Sequence, residues 1–224
     1  MSEMVERIER VRARISQACA RAGRSEDSVR LLAVSKKKPA EAVAEAWEAG
    51  LCSFGENRVQ EAAEKIPLSP SGANWHLIGH LQSNKAKLAA TLFDMIQSVD
   101  SIKLIEALDR HAEQTLPMLL QVNIAGEGAK FGFAPEEVEQ AIRCANQTTH
   151  CEVHGLMIIP PFTPDPEGAR PYFKALRELR DELSELTETP LPELSMGMSN
   201  DLEIAIEEGS TWVRVGTDLF GERS

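Results

Sequence analysis

A single tyrosine, Tyr172, occurs in 224 residues. The chain also has no Gly-rich fingerprint of the kind that a dinucleotide-binding doubly wound sheet carries after its first strand. Cysteine is sparse: Cys19, Cys52, Cys144 and Cys151 are scattered without a C-x-x-C pair, which excludes a zinc or redox motif and predicts buried thiols in a reducing compartment. No apolar run is long enough to cross a bilayer, and the charged opening residues do not read as a signal peptide. The expected localisation is therefore cytoplasmic, with no membrane partner. Basic residues are the minority, 24 Lys and Arg against 35 Asp and Glu, and the net charge of -11 works against a nucleic-acid surface or binding to anionic lipid. A small molecule is the expected partner.

What is present is a rhythm. Met1 to Arg14 form an amphipathic helical pattern, with Val5, Ile8, Val11 and Ile15 on one face and Glu and Arg on the other. From Arg30 onward short apolar runs alternate with helical segments. The predicted strands are 31–35, 53–55, 76–79, 95–98, 118–123, 152–157, 193–196 and 212–215. Helices are expected between them, among others over 39–49, 84–93, 101–114, 135–146, 168–186 and 200–208. Pro39 suits a first helical position, and Gly50 and Gly209 suit helix ends. Repeated β/α units mean parallel strands. Eight of them predict an α/β fold of one domain spanning 1–224, a (β/α)8 TIM barrel with an additional N-terminal helix. A doubly wound sheet is the alternative. The proline-rich stretch from Pro160 to Pro171 excludes helix or central strand through most of its length. It reads as a stiff loop at the barrel mouth, with a domain linker as the competing reading.

In such a barrel the carboxyl ends of the strands share one face, where functional groups collect. The first strand, Leu31 to Ser35, runs straight into Lys36-Lys37-Lys38-Pro39. A lysine at the end of a buried strand has a desolvated stem and an open amine, which suits Schiff-base chemistry with an aldehyde, and like charge on Lys37 or Lys38 favours its neutral form. Three basic residues in a row also describe a solvated edge. Later exits offer Glu56 and Asn57, His80 and Gln82, Asn123, and Met157. Gly197, Ser199 and Asn200 follow the seventh strand, and Arg214, Gly216 and Thr217 the eighth. Small, hydroxyl-bearing turns on the last two units predict a phosphate site; singly each would be an ordinary cap or turn. Arg214 adds a cation beside the first strand, with a surface ion pair as the alternative. Glu56 and Asn57 either cap a loop or touch a ligand. His76 and His80 do not share a helix face, so no metal site is expected.

Five motifs then appear in order: Val34-Ser35-Lys36-Lys37-Lys38-Pro39, Phe54-Gly55-Glu56-Asn57-Arg58-Val59-Gln60-Glu61, Trp75-His76-Leu77-Ile78-Gly79-His80-Leu81-Gln82-Ser83-Asn84-Lys85, Leu194-Ser195-Met196-Gly197-Met198-Ser199 and Val213-Arg214-Val215-Gly216-Thr217. From about Val29 to Arg223 the chain resembles the pyridoxal phosphate homeostasis protein family, whose fold is that of the alanine racemase N-terminal domain. The resemblance implies that pyridoxal 5'-phosphate (PLP) is bound covalently by Lys36 as an internal aldimine. It further implies that Arg214 faces the pyridine nitrogen, that Ser199, Gly216 and Thr217 hold the phosphate, and that Asn57 lies beside the cofactor. Arg58 stands where many relatives have Tyr, and Asn200 where Asp is frequent. PLP-dependent apoenzymes are implied as recipients and a monomer as the working state.

A racemase reading must meet a further requirement. Two-base racemisation needs a donor and an acceptor on opposite faces of the substrate α-carbon. In the racemases the second base is a tyrosine from a separate domain, whereas Tyr172 falls at the start of an outer helix. An arginine at the ring nitrogen also makes a poorer electron sink than an acid would. The expectation is a carrier without a catalytic residue. The alternatives are a PLP-dependent amino-acid racemase of weak activity and a barrel enzyme for a phosphorylated metabolite without a covalent cofactor.

Overall fold

A computed structural model describes residues 2–128 and 131–221; Met1, Ala129, Lys130 and the last three residues, with Arg223 among them, lie outside the described residues. Helix α1, Glu3–Arg21, opens the fold with Ser2 as its cap. Then β1 (Arg30–Val34), α2 (Ala40–Glu48), β2 (Ser53–Glu56), α3 (Val59–Lys65), β3 (Asn74–Leu77), α4 (Ala86–Leu92), β4 (Met95–Val99) and α5 (Ile102–Asp109) follow. The second half adds β5 (Leu116–Gln121), α6 (Val138–Ala145), β6 (Cys151–Met157), α7 (Arg170–Thr187), β7 (Glu193–Ser195), α8 (Leu202–Glu207), β8 (Trp212–Val215) and α9 (Thr217–Phe220). The strands form a closed parallel barrel in chain order. Closure comes from β1 against β8, with Leu32 opposite Arg214 and Ala33 opposite Val215. The expected (β/α)8 barrel with an added N-terminal helix is the observed one.

Strand alternation divides the apolar residues between two cores. Leu32, Val34, Ile78 and Trp212 pack inside the barrel, as do Met95, Leu119 and Met157. Their neighbours Ala33, Phe54, Leu77, Ile96, Leu120, Leu156 and Val213 join the larger core beneath the helices. Gly55 faces the interior, where a Cβ would come within 3.0 Å of Leu32 and 3.1 Å of Ile78. Among the described residues no helix is long and apolar enough to cross a membrane, and no His, Cys, Asp and Glu group could hold a metal ion.

Several boundaries move for identifiable reasons. The third strand begins at Asn74 rather than 76, because Asn74 and Trp75 pair with Ser53 and Phe54. It ends at Leu77, although the Ile78 N–H still donates to the Glu56 carbonyl at 2.9 Å. Pro39 is the cap before α2 rather than its first residue. The N-terminal helix continues to Arg21, burying Met4 while Val5 stays half-buried. Helix α5 stops at Asp109, short of the expected 114. Of the cysteines expected to be buried, Cys19 and Cys151 are, but Cys144 is half-buried and Cys52 exposed.

Candidate functional site

Lys36 sits on a tight turn closed by the Lys38 N–H donating to the Ser35 carbonyl at 3.0 Å, with Lys37 in the left-handed region at φ 59°. A buried cluster fixes this turn from behind. Ser35 Oγ donates to Glu56 Oε1 at 2.7 Å, and Lys65 Nζ donates to Ser35 O at 2.8 Å, Glu56 Oε1 at 2.5 Å and Glu61 Oε1 at 2.9 Å. The Lys37 N–H donates to Glu61 in turn. Burial raises the Glu56 carboxyl pKa, and the Lys65 ammonium opposes that rise. Glu56 therefore supports the turn from behind and does not line the cavity in front of it.

In front of the turn, at the carboxyl ends of the strands, lies a cavity of about 410 Å³. Its lining contains Lys36, Lys38, Asn57, Ser199, Asn200, Arg214, Gly216 and Thr217, with Val34, Ile78, Ile159, Phe162, Met198, Phe220 and Gly221 as the rest. The six residues that the resemblance assigns to the cofactor, Lys36, Asn57, Ser199, Arg214, Gly216 and Thr217, thus meet in one place. Lys36 continues the inward series Leu32, Val34 on β1, which is why a residue just past the strand still faces the mouth. Lys38 shares the cavity and donates to the Phe220 carbonyl at 2.9 Å. Lys37 is exposed. Gly216 lies against β1, where a Cβ would stand 3.3 Å from the Val34 carbonyl oxygen. A Cβ on Gly79 would come within 2.3 Å of the Asn57 carbonyl oxygen, so only glycine lets this backbone seat Asn57. The Asn57 Oδ1 atom is buried with no hydrogen-bond partner among the described residues, the mark of a group awaiting one.

Arg214 is not a surface ion pair: it is 4% exposed. Its Nη2 donates to the Ile158 carbonyl at 2.8 Å and its Nη1 to Ser195 Oγ at 2.8 Å. Because a guanidinium only donates, the direction of the remaining chain follows. Ser195 Oγ donates to Gln97 Oε1 at 2.6 Å, Gln97 Nε2 donates to His76 Nδ1 at 2.7 Å, and His76 Nε2 is left to donate to Asn74 Oδ1. Burial pushes Arg214 down to about 10, with Asp201 pulling the other way, and pushes His76 down to about 3. This column crosses the barrel interior and was not anticipated. Only the strand registers reveal it.

Gly197 stands apart from the other predicted residues, because it does not line the cavity. Its φ is +91°, and a Cβ there would come within 2.5 Å of the Ala205 Cβ, so its smallness serves the packing of the loop on α8. His80 and Gln82 also lie outside the lining. His80 Nδ1 meets Asp100 at 2.7 Å, and its ring stacks on Phe131 at 3.6 Å. Asn123 borders a separate hollow of about 170 Å³ that shares Ile159 with the larger one. Tyr172 lies in the first turn of α7 and does not reach the cavity. Arg58 is exposed, and Asn200 Nδ2 donates to Thr163 O at 3.4 Å, tying the proline-rich loop to the mouth.

The family model for the alanine racemase N-terminal domain matches residues 7–224. A relative from Pseudomonas aeruginosa, named pyridoxal phosphate homeostasis protein, is 46% identical over 227 residues, covering 100% of this chain and 97% of its own. Another of that name from Aquifex aeolicus is 45% identical over 222 residues, 97% of each chain. Among solved structures, PipY of Synechococcus elongatus PCC7942 without PLP matches with a TM-score of 0.88 at 39% identity, over 98% of this chain and 100% of that one. The same protein with PLP bound gives 0.86. Alanine racemase of Clostridium difficile 630, at 13% identity, shares the fold alone, with a TM-score of 0.73 over 94% of this chain and 55% of that one. On these full-length identities, the chain belongs to the pyridoxal phosphate homeostasis protein family, built on the alanine racemase N-terminal domain.

Proposed function

We propose that the chain is a PLP-binding homeostasis protein of the cytoplasm, which takes up the cofactor on Lys36, shields it and releases it without turning over a substrate. The observation that carries this reading is the meeting of Lys36, Asn57, Ser199, Arg214, Gly216 and Thr217 in one cavity. Its volume falls within the range of small-molecule sites, roughly 300–1,000 Å³. When bound, PLP supplies an aldehyde that condenses reversibly with an amine, releasing water.

The residues fit this group in chemistry as well as size. Lys36 provides the amine, held in place by the Ser35–Glu56–Lys65 cluster. The Arg214 N–H groups beyond those given to Ser195 and Ile158 suit a ring nitrogen. Asn57 brings an amide oxygen in need of a donor. Ser199, Gly216 and Thr217 offer hydroxyls and close backbone to a phosphate, and Gly197 shapes the loop that carries Ser199. Among the described residues the titratable ones in the lining are Lys36, Lys38 and Arg214, and none of these described residues is a tyrosine, histidine, cysteine or carboxylate of the kind a second base requires. Released PLP passes to PLP-dependent apoenzymes, with the chain acting as a monomer.

The test is an absorption spectrum of protein mixed with PLP, followed by borohydride reduction and peptide mapping. A band near the visible edge is expected that reduction abolishes while leaving the cofactor attached to the Lys36 peptide, and persistence of the band in Lys36→Ala would overturn the assignment. A weak amino-acid racemase is the second reading, favoured by one observation: Lys38 shares the cavity with Lys36. Loss of α-deuterium from labelled amino acids, sustained and abolished in Lys36→Ala, would establish it in place of the carrier.

A further inference from the structure

Helix α1 lies outside the β/α repeat, and its polar side is largely exposed, yet one stripe of it is docked on the barrel. Arg7, Arg14 and Arg21, spaced by seven residues, all turn toward the last two β/α units. Arg7 Nη1 donates to the Leu219 carbonyl at 3.3 Å, and Arg21 Nε pairs with Glu207 at 2.8 Å. Arg14 does more. Its Nε donates to Glu203 Oε1 at 2.6 Å, its Nη1 to Asp218 Oδ2 at 2.5 Å, and its Nη2 to Glu203 Oε2 at 2.8 Å and to the Ser199 carbonyl at 2.8 Å. Glu203 lies in the first turn of α8, behind the loop that carries Ser199. Asp218 follows Thr217 directly in α9. One guanidinium therefore ties together the separate loops that present Ser199 and Thr217 to the cavity. A trans peptide points its N–H opposite to its C=O, so a Ser199 carbonyl held by Arg14 turns the Asn200 N–H away from α1.

We propose that Arg14 is a positioning residue for phosphate recognition, locking the seventh and eighth loops at the separation that a phosphorylated aldehyde requires. The inference rests on the PLP reading above and adds a partner for it: α1 determines how well the protein distinguishes the phosphorylated from the dephosphorylated vitamer. A planar, forked cation suits the task, because it engages both carboxylates and the carbonyl at once. Arg14 does not line the cavity, so it acts through the loops and not on the ligand.

The experiment compares dissociation constants for PLP and for pyridoxal in the full-length protein, Arg14→Ala and Asp218→Asn, with thermal unfolding as the check of folding. Arg14→Ala should fold, since Ile8, Val11, Ile15 and Ala18 still anchor α1. It should lose about tenfold in PLP affinity while pyridoxal binding changes less than about twofold. Asp218→Asn, which weakens only the arm to the eighth loop by removing its charge while leaving an amide oxygen able to accept, should move the same ratio by less. If Arg14→Ala does not fold, the Asp218→Asn ratio decides. An unchanged PLP-to-pyridoxal ratio, or an equal loss for both ligands, would overturn the proposal. Failure of the unmodified protein to bind either aldehyde would instead remove the PLP reading itself.

Discussion

Arg214 and Lys65 are both buried cations, 4% and 6% exposed, and they lie on opposite sides of the Lys36 turn's task. Lys65 is saturated: two carboxylates and a carbonyl surround its ammonium. Arg214 meets only neutral acceptors, Ser195 Oγ and the Ile158 carbonyl, and the rest of its fork faces the cavity. The same cost of removing charge from water is met internally in one case and left partly open in the other. On the proposed PLP reading, the difference separates a cation that holds the fold from one held ready for a ligand.

Removing each cation should therefore show opposite profiles. The largest effect expected on stability is from Lys65→Met, which strands Glu56 at 0% exposure and should cost about 3–5 kcal/mol in denaturant unfolding. Arg214→Met should cost less, about 1–2 kcal/mol, because among the described residues no carboxylate hydrogen-bonds to it: Asp201 loses a through-space attraction and chiefly one carbonyl is left unpaired. Its main effect should be on PLP binding, weakened about tenfold or more. Equal stability losses for the two variants would erase the distinction.

A finer test uses pH. His76, at the far end of the Arg214 column, accepts from Gln97 and is held neutral, with a folded pKa of about 3 against 6.5. Between those values the unfolded chain carries the extra proton, so stability is lost as pH falls below about 6.5, by at most about 1.4 kcal/mol per pH unit. In His76→Gln that component of the slope should vanish, leaving the slope due to the carboxylates. An unaltered slope would mean that His76 is not buried in its neutral form.

The sequence made the β1 exit legible because one apolar run ends abruptly at Lys36, and strand alternation then aims it inward. The loops after β7 and β8 were legible through their small and hydroxyl residues. The Arg214 column was not, since Ser195 and Gln97 are 98 positions apart and meet only once the barrel closes. Gly197 looked like a ligand glycine because local sequence does not tell backbone space facing a cavity from backbone space facing Ala205. The role of Arg14 was equally hidden: the sequence places Glu and Arg opposite the apolar face of α1, but the partners Glu203 and Asp218 lie 189 and 204 positions away.

The proline-rich segment passes through a short helical turn, Pro166–Ala169, into the first turn of α7 at Pro171, and Thr163 within it is braced by Asn200 and by Gly168, where a Cβ would stand 2.9 Å from the Thr163 side chain. Backbone of this kind surrenders most of its conformational entropy when the protein folds, so little remains to be lost when a guest arrives. A guest entering at this mouth should therefore need little ordering of a flap.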